Sequence, residues 1–358
     1  MSVFDHSEYD QHESLHYFQD TKSGLKAIIA IHSTALGPAA GGCRHWQYAN
    51  DDSALVDALR LSRGMTYKNA VAGLPLGGGK SVILANAAGP GSPELFAAFG
   101  RAVDSLDGRY ITAEDVGVNV NDMRIVRNET RYVSGLPQDG KNAGGDPSPW
   151  TALGVFLGME ATAKARLGFD SLSGLRVAVQ GVGHVGLQLC RLLHKADAII
   201  TVADVNRRNL QRVRDEMPVT ESPPNDVLFS DVDILAPCAL GNVLNSETIP
   251  RIRARVIAGA ANNQLSVEED GARLVEQGIL YAPDYVINAG GIISVSREYF
   301  GQGSEEEVRA DVSRIPGRLQ SIFDEAAARE IPTNIVADEL ARRIVADGNG
   351  AAEVEQVA

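Results

Sequence analysis

Cysteine is scarce in this sequence. Its 358 residues hold three, Cys43, Cys190 and Cys238, with no C-x-x-C pair, which argues against a disulfide framework or a thiolate zinc site and fits a reducing compartment. Long apolar runs are missing too: nothing approaches about 18 uninterrupted apolar residues, so no membrane-spanning helix is expected. The opening MSVFDHSEYDQHE is acidic and polar where a secretory signal needs a basic and then an apolar stretch. A soluble cytoplasmic protein with no membrane partner is the expectation. Positive charge is also short. Lys and Arg number 33 against 46 Asp and Glu, a formal charge of −13 with no dense basic block, which argues against nucleic acid as a partner.

What is present fits an ordinary globular protein, 44% hydrophobic and 22% charged. At roughly 150 residues per domain the length suggests two domains. The 36 glycines exceed the average usage of about 7%, with no repeat or low-complexity tract to absorb them. Their positions therefore carry information.

Strand-like and helix-like segments alternate, which indicates an α/β architecture. Residues 24–33 read as a strand, followed by a Gly-Pro break and the pair Gly41-Gly42. A helix starts at Asp51-Asp52-Ser53 and runs toward Met65 and Lys68. After it come an apolar run to Leu74, a turn at Gly77-Gly78-Gly79 and a second apolar run over 81–85. Residues 94–106 read as an amphipathic helix and 109–115 as a short strand. Gly, Pro, Asn and Asp crowd together over 140–149 and mark a boundary. Beyond it, a helix over 153–166 leads into strands at 174–180, 198–204, 233–238, 255–261 and 281–291, the pattern of a doubly wound parallel sheet. The expected domains are 1–140 and 141–324. Residues 305–347 are charged and helical in pattern, with Leu319, Ile322 and Phe323 packing on the body. The helices from about 325 to 358 are expected to return to the first domain, and the last dozen residues to form a tail.

Gly181, Val182, Gly183, His184, Val185 and Gly186 match G-x-G-x-x-G directly after a strand and at the opening of a helix. Gly181 permits the tight turn, Gly183 lets a pyrophosphate approach the backbone, and Gly186 lets helix and strand pack closely. The helix N-terminus then offers unpaired N–H groups and the positive end of its dipole. Asp204, 23 residues after Gly181, can accept the ribose hydroxyls and would repel a 2′-phosphate. NAD is the expected cofactor, although Arg207 and Arg208 leave NADP open.

Two motifs are decoys. Leu74-PLGGGKS-Ser81 lacks the first glycine of a P-loop and runs into a strand where a helix should start. His12-ESL-His16 satisfies H-E-x-x-H, but no Glu follows until Glu94 and the extended motif is missing. Its histidines are expected on the surface of an N-terminal strand or turn, with no metal. Lys68 and Lys80, by contrast, keep company with apolar, glycine-rich sequence. A lysine in such a setting beside a second cation loses its proton more readily, as a general base near neutral pH requires.

The strings LGPAAGG, LRLSRGMTYKNA, LPLGGGKSVI, RYITAEDVG, VAVQGVGHVG, APCALG, IAGAANNQL and YAPDYVINAGG resemble the Glu/Leu/Phe/Val amino-acid dehydrogenase superfamily, most closely its leucine branch. The resemblance runs from about residue 24 to 300. It implies an N-terminal α/β substrate and oligomerisation domain, a Rossmann-type NAD domain, a cleft between them and a homo-oligomer. It also implies roles. Lys80 would activate the attacking water, Asp115 would exchange protons with the amine, and Lys68 would bind the α-carboxylate near Gly41, Gly42 and Met65. Asn262 would sit beside substrate and nicotinamide, and Val205, Cys238 and Ala239 would join the fingerprint in holding the cofactor. Ala40, Ala113, Ile292 and Val295 match the side-chain pocket. None is charged, which argues against glutamate. Ala40 departs from the leucine pattern toward the phenylalanine branch, while Ile292 takes room back. The expected reaction is reversible, NAD-dependent oxidative deamination of branched-chain L-amino acids to 2-oxo acids, ammonia and NADH. Aromatic amino acids are the nearer alternative and a non-catalytic NAD-binding regulator the more distant one.

Overall fold

The computed structural model describes residues 3–85, 91–136, 145–239, 241–301 and 303–348. It opens with an antiparallel pair, β1 (Ser14–Asp20) and β2 (Leu25–Ser33), followed by β3 (Ala39–Trp46). Helix α1 (Asp51–Val71) is started by the Asn50 side chain, which accepts the Ser53 N–H at 2.8 Å. Then come β4 (Gly77–Leu84), α2 (Pro93–Asp104), β5 (Tyr110–Glu114) and α3 (Val120–Glu129), the last closed at its start by an Asn119/Asp122 capping box. The sheet order is β1-β2-β4-β3-β5, with β3 parallel to both of its neighbours.

Alternation along β2 shows how this sheet is held. Ala27, Ile29 and Ile31 pack with Phe96, Phe99 and Met123, while Ile28 and Ala30 pack with Ala54, Ala58 and Val82. The strand therefore has a core on each face: α2 and α3 cover one, and α1 the other.

The triple glycine is the start of β4, not a turn. A side chain at Gly78 would place its Cβ 2.1 Å from the Thr66 nitrogen of α1, so helix backbone lies directly on strand backbone. Glycine is there to permit that contact. The Gly41-Gly42 pair likewise lies inside a strand, β3, which its composition disguises.

A second sheet follows α4 (Ser148–Leu167): β6 (Arg176–Gln180), α5 (His184–Lys195), β7 (Ile199–Ala203), α6 (Arg207–Glu216), β8 (Thr220–Glu221), β9 (Ile234–Pro237), β10 (Val256–Ile257), α7 (Asp270–Glu276) and β11 (Leu280–Tyr281). All pairs are parallel, in the order β11-β10-β9-β6-β7-β8. In order of appearance this is the 3-2-1-4-5-6 winding of a dinucleotide-binding fold. The segment 281–291 is a strand only at its first residue. Pro283 ends the strand, and the chain enters α8 (Asp284–Ile287) and α9 (Gly290–Tyr299). Gly290 abuts the Trp150 carbonyl, where a Cβ would come within 2.0 Å.

The chain ends in α10 (Glu305–Val312), α11 (Ile315–Arg329) and α12 (Thr333–Asp347). Two units result. One takes the described residues up to Asp146, Val295–Glu305 and residues 341–348, and the other takes Pro147–Ser294 and Glu306–Leu340. The return to the first unit thus starts later than residue 325. The reason is local: Ile315 and Leu319 of α11 pack against Gly154 and Gly158 of α4, and α12 begins with Thr333 donating to the Tyr281 carbonyl at 2.7 Å. The expected boundary at 140/141 and the end of the chain from 349 lie outside the described residues. Among the described residues no helix is long and apolar enough to cross a membrane.

Candidate active site

Register and the period of two assemble the site in the first unit. Gly78 of β4 is level with Ala40 of β3 and Ser81 with Cys43, which sets Lys80 level with Gly42. Gly42 in turn is level with Ala113 of β5. Alternate residues of a strand share a face. Ala40, Gly42 and Arg44 therefore form a row beside Gly78 and Lys80 on one side and Ala113 on the other, with Asp115 two residues further on.

Lys80 is 5% exposed, and its Nζ donates to Asp115 Oδ2. Arg44 Nε donates to the same oxygen at 3.3 Å, and Arg44 Nη1 donates to Asp57 Oδ2 at 2.8 Å. The Tyr48 hydroxyl donates to that Asp57 oxygen at 2.6 Å. Burial alone would push the Asp115 carboxyl up, but Lys80 and Arg44 outweigh it and hold it well below the usual carboxylate range. A carboxylate and Arg44 are therefore what Lys80 meets.

Glycine makes this convergence possible. A Cβ at Gly42 would come 2.9 Å from Asp115 Cβ, and one at Gly41 would come 1.8 Å from the Gly79 carbonyl oxygen and 3.3 Å from Met65 Cγ. The Gly41 carbonyl accepts the Tyr110 hydroxyl at 2.5 Å. Neighbouring Cys43 is a bystander, since burial pushes its thiol up to about 12.

Lys68 sits half-buried in the last turn of α1. That turn is fixed by Thr66, whose backbone lies on Gly78 and whose hydroxyl is 2.8 Å from His32 Nδ1. His32 meets His12 edge to face, with ring centroids 4.7 Å apart. His12 Nε2 lies 3.0 Å from Ser62 Oγ. The first histidine of H-E-x-x-H is thus a buried prop beneath α1 and not a surface residue. Among the described residues no group of three or more His, Cys, Asp or Glu side chains could hold a metal.

In the second unit the fingerprint loop is built as its glycines require. Gly181 has φ 91°, and a Cβ at Gly186 would come 2.0 Å from the Gly181 carbonyl oxygen. Gly183 caps α5 with no side-chain cap, and a Cβ there would meet nothing within 4 Å. The first N–H groups of α5, from His184 and Val185 onward, thus begin at an open, uncapped end, which fits a pyrophosphate. Asp204 accepts from Val182 N at 2.9 Å, Asn206 N at 2.7 Å and Asn209 Nδ2 at 3.1 Å. With about four acceptor positions on a carboxylate, that leaves capacity for one ribose hydroxyl rather than two. Val205 beside it is 88% exposed. Cys238 N–H donates to the Gln180 carbonyl at 2.7 Å, and Ala239 lies against Gly181. Asn262 is exposed and its Oδ1 accepts Asn288 Nδ2 at 2.9 Å.

Of the expected substrate residues, Lys80, Asp115, Gly41, Gly42, Met65, Ala40, Ala113, Lys68 and Val295 belong to the first unit, and Asn262 and Ile292 to the second. Arg44, Tyr48 and Asp57 carry no motif of their own. The signal that would find Arg44 is its place two residues after Gly42, once β3 is recognised as a strand.

Residues 12–132 match the model of the Glu/Leu/Phe/Val dehydrogenase dimerisation domain, and residues 205–358 that of the glutamate/leucine/phenylalanine/valine dehydrogenases. The chain belongs to the Glu/Leu/Phe/Val dehydrogenase family. It is 50% identical to the leucine dehydrogenase of Bacillus subtilis (strain 168) over 342 residues, 95% of this chain and 93% of that one. It is 45% identical to the valine dehydrogenase of Streptomyces virginiae over 96% of each. The crystal structure of L-tryptophan dehydrogenase from Nostoc punctiforme superimposes with a TM-score of 0.80 at 45% identity, covering 94% of this chain and 97% of that one. As a member of this family the protein is an amino-acid dehydrogenase, an enzyme that uses a nicotinamide dinucleotide.

Proposed function

We propose that the protein is an NAD-dependent L-amino-acid dehydrogenase of the leucine type, converting branched-chain L-amino acids to 2-oxo acids and ammonia. The observation that carries this reading is the pairing of buried Lys80 with half-buried Asp115 on a glycine-lined sheet face, in a chain half identical to a leucine dehydrogenase. NAD is favoured over NADP by the Asp204 carboxylate, which would repel a 2′-phosphate. Gly181 to Gly186, Asp204, Val205, Cys238 and Ala239 would hold the dinucleotide, with Asn262 beside its nicotinamide.

Lys68 would meet the substrate carboxylate as a cation, with Gly41, Gly42 and Met65 close by. Asp115 would take a proton from the α-ammonium, which frees the nitrogen lone pair. When bound, the nicotinamide accepts a hydride from Cα. Water then adds to the iminium carbon: its oxygen pair forms the C–O bond while Lys80 Nζ takes the released proton. Asp115 returns its proton to nitrogen, ammonia leaves with the C–N pair, and the hydroxyl oxygen gives its proton to the Asp115 carboxylate as the carbonyl forms. The apolar residues Ala40, Ala113, Ile292 and Val295 would surround the substrate side chain. As for the family's dimerisation domain, self-association is part of this proposal.

A second reading, an aromatic substrate, is favoured by the small side chain of Ala40 and by the likeness to a tryptophan dehydrogenase. One methylene is worth only about 1–3 kcal/mol of discrimination, so NADH production across a panel of L-amino acids decides between them. Highest kcat/KM with leucine, valine or isoleucine supports the first reading, and highest kcat/KM with phenylalanine or tryptophan replaces it by the second. Absence of NADH formation with every member of the panel would refute both.

A further inference from the structure

One charged side chain in the active row has no part in the reaction above. Arg44 is on the same face as Gly42, two residues along β3, and is about one-fifth exposed. Its guanidinium joins two carboxylates, Asp115 at 3.3 Å and Asp57 at 2.8 Å. Lys80 and Arg44 donate to the same atom, Asp115 Oδ2.

We propose that Arg44 is a positioning residue that shares Asp115 Oδ2 with Lys80, and so allows Lys80 to release its proton without leaving the carboxylate unpaired. The proposal rests on the reading of Lys80 and Asp115 as the proton-transfer pair. An ion pair between a buried lysine and a half-buried carboxylate alone would hold the proton on the lysine, because losing it leaves a partly desolvated anion unpaired. A guanidinium does not deprotonate in a protein. With Arg44 on the same oxygen, the carboxylate keeps a cation whichever state Lys80 occupies, and the positive charge of Arg44 opposes that of Lys80. Asp57 aims the guanidinium and is itself braced by the Tyr48 hydroxyl. Asp57 also pulls charge away from Oδ2, so Arg44 is divided between two anions.

Other titratable groups stand on the packed elements. Cys43 on β3 and Tyr110 on β5 are both pushed up by burial and stay neutral near pH 7. Ala30, opposite Lys80 on β2, is uncharged. Lys68 and Asp57 lie on α1, Glu114 on β5 and Asp122 on α3, and His45 on β3 is pushed down by burial. Arg44 is the guanidinium seated on the catalytic carboxylate.

The test is the pH profile of kcat/KM with NAD and the best substrate of the panel, for wild type, Arg44→Met, Arg44→Lys and Asp57→Asn. Arg44→Met should move the limb on which activity rises with pH upward by about one unit, roughly a tenfold loss at a fixed pH on that limb, with KM for NAD unchanged. Arg44→Lys should recover most of the limb position. Asp57→Asn should move it downward, because the guanidinium then gives its full charge to Oδ2. Shifts of opposite sign in Arg44→Met and Asp57→Asn are not expected from loosened packing. A loss of rate with the limb unmoved, or a shift of the same sign in both variants, overturns the proposal. If Arg44→Met does not fold, the direction in Asp57→Asn decides. Turnover retained by Lys80→Ala would instead overturn the underlying reading of the proton-transfer pair, whatever the Arg44 variants do.

Discussion

At the scale of single residues, the site combines two demands that are separately costly. A carboxylate is half-buried, and a lysine is buried beside it; each is tolerable because the other is present. Lys80→Ala should therefore abolish turnover while leaving NAD affinity, read by fluorescence titration, nearly intact. Asp204 braces Val182 N, and under the proposed function it also meets the ribose. Asp204→Asn should raise KM for NAD by roughly 10- to 100-fold, the worth of a charged hydrogen bond, and narrow the NAD to NADP ratio of kcat/KM. An unchanged ratio would mean that the Asp204 charge does not set the preference, and equal kcat/KM with NAD and NADP in the wild type would mean that Arg207 or Arg208 overrides it. Lys68, Lys80, Asp115 and the fingerprint stand out in the amino-acid string because each is embedded in a local motif. Arg44, Asp57 and Tyr48 do not, because what joins them is register between strands and the covering helix, which no local pattern encodes.

At the scale of elements, glycine misleads and informs at once. β3 and β4 carry glycines in numbers that ordinarily signal turns, yet both are central strands, because α1 and the neighbouring strands approach too closely for a Cβ. Tertiary contact overrides local preference there. β10 and β11 are only two residues each, while the long segments β2, α2 and α4 are clear in the pattern of apolar residues. A direct consequence concerns Gly78. Thr66 opposes it with backbone that cannot swing aside, so Gly78→Ala should destabilise the protein by about 1–3 kcal/mol, as overpacking does. The urea midpoint measures that loss. Since the displaced helix turn carries Lys68, KM for the amino acid should rise in the same variant, with KM for NAD little changed.

At the scale of the whole molecule, the two units should respond differently to acid. His12, His16, His32 and His45 are all pushed down, burial being the largest cause for each, and His32 falls to about 4. All four lie in the first unit. A group whose folded value is depressed binds fewer protons folded than unfolded between that value and about 6.5, so stability is full above this window and declines as pH falls through it. For His32 alone the loss is about 3 kcal/mol on reaching pH 4. Hydrogen exchange should show the amides of β2 and α1 losing protection between pH 6.5 and 4, ahead of those of β6 and β7. Replacement of His32 by Gln should flatten that dependence.

The division of the chain between the two units also has a consequence for biosynthesis. Every segment of the second unit up to Leu340 is synthesised before the first unit receives its final piece, the part of α12 in which Arg342 Nε donates to the Tyr67 hydroxyl at 2.9 Å. Tyr67 adjoins Lys68. On the ribosome, the second unit can close while the first is still incomplete. If the proposed roles hold, a nascent or prematurely terminated chain would gain the ability to hold the cofactor before the helix turn that carries Lys68 was fully braced.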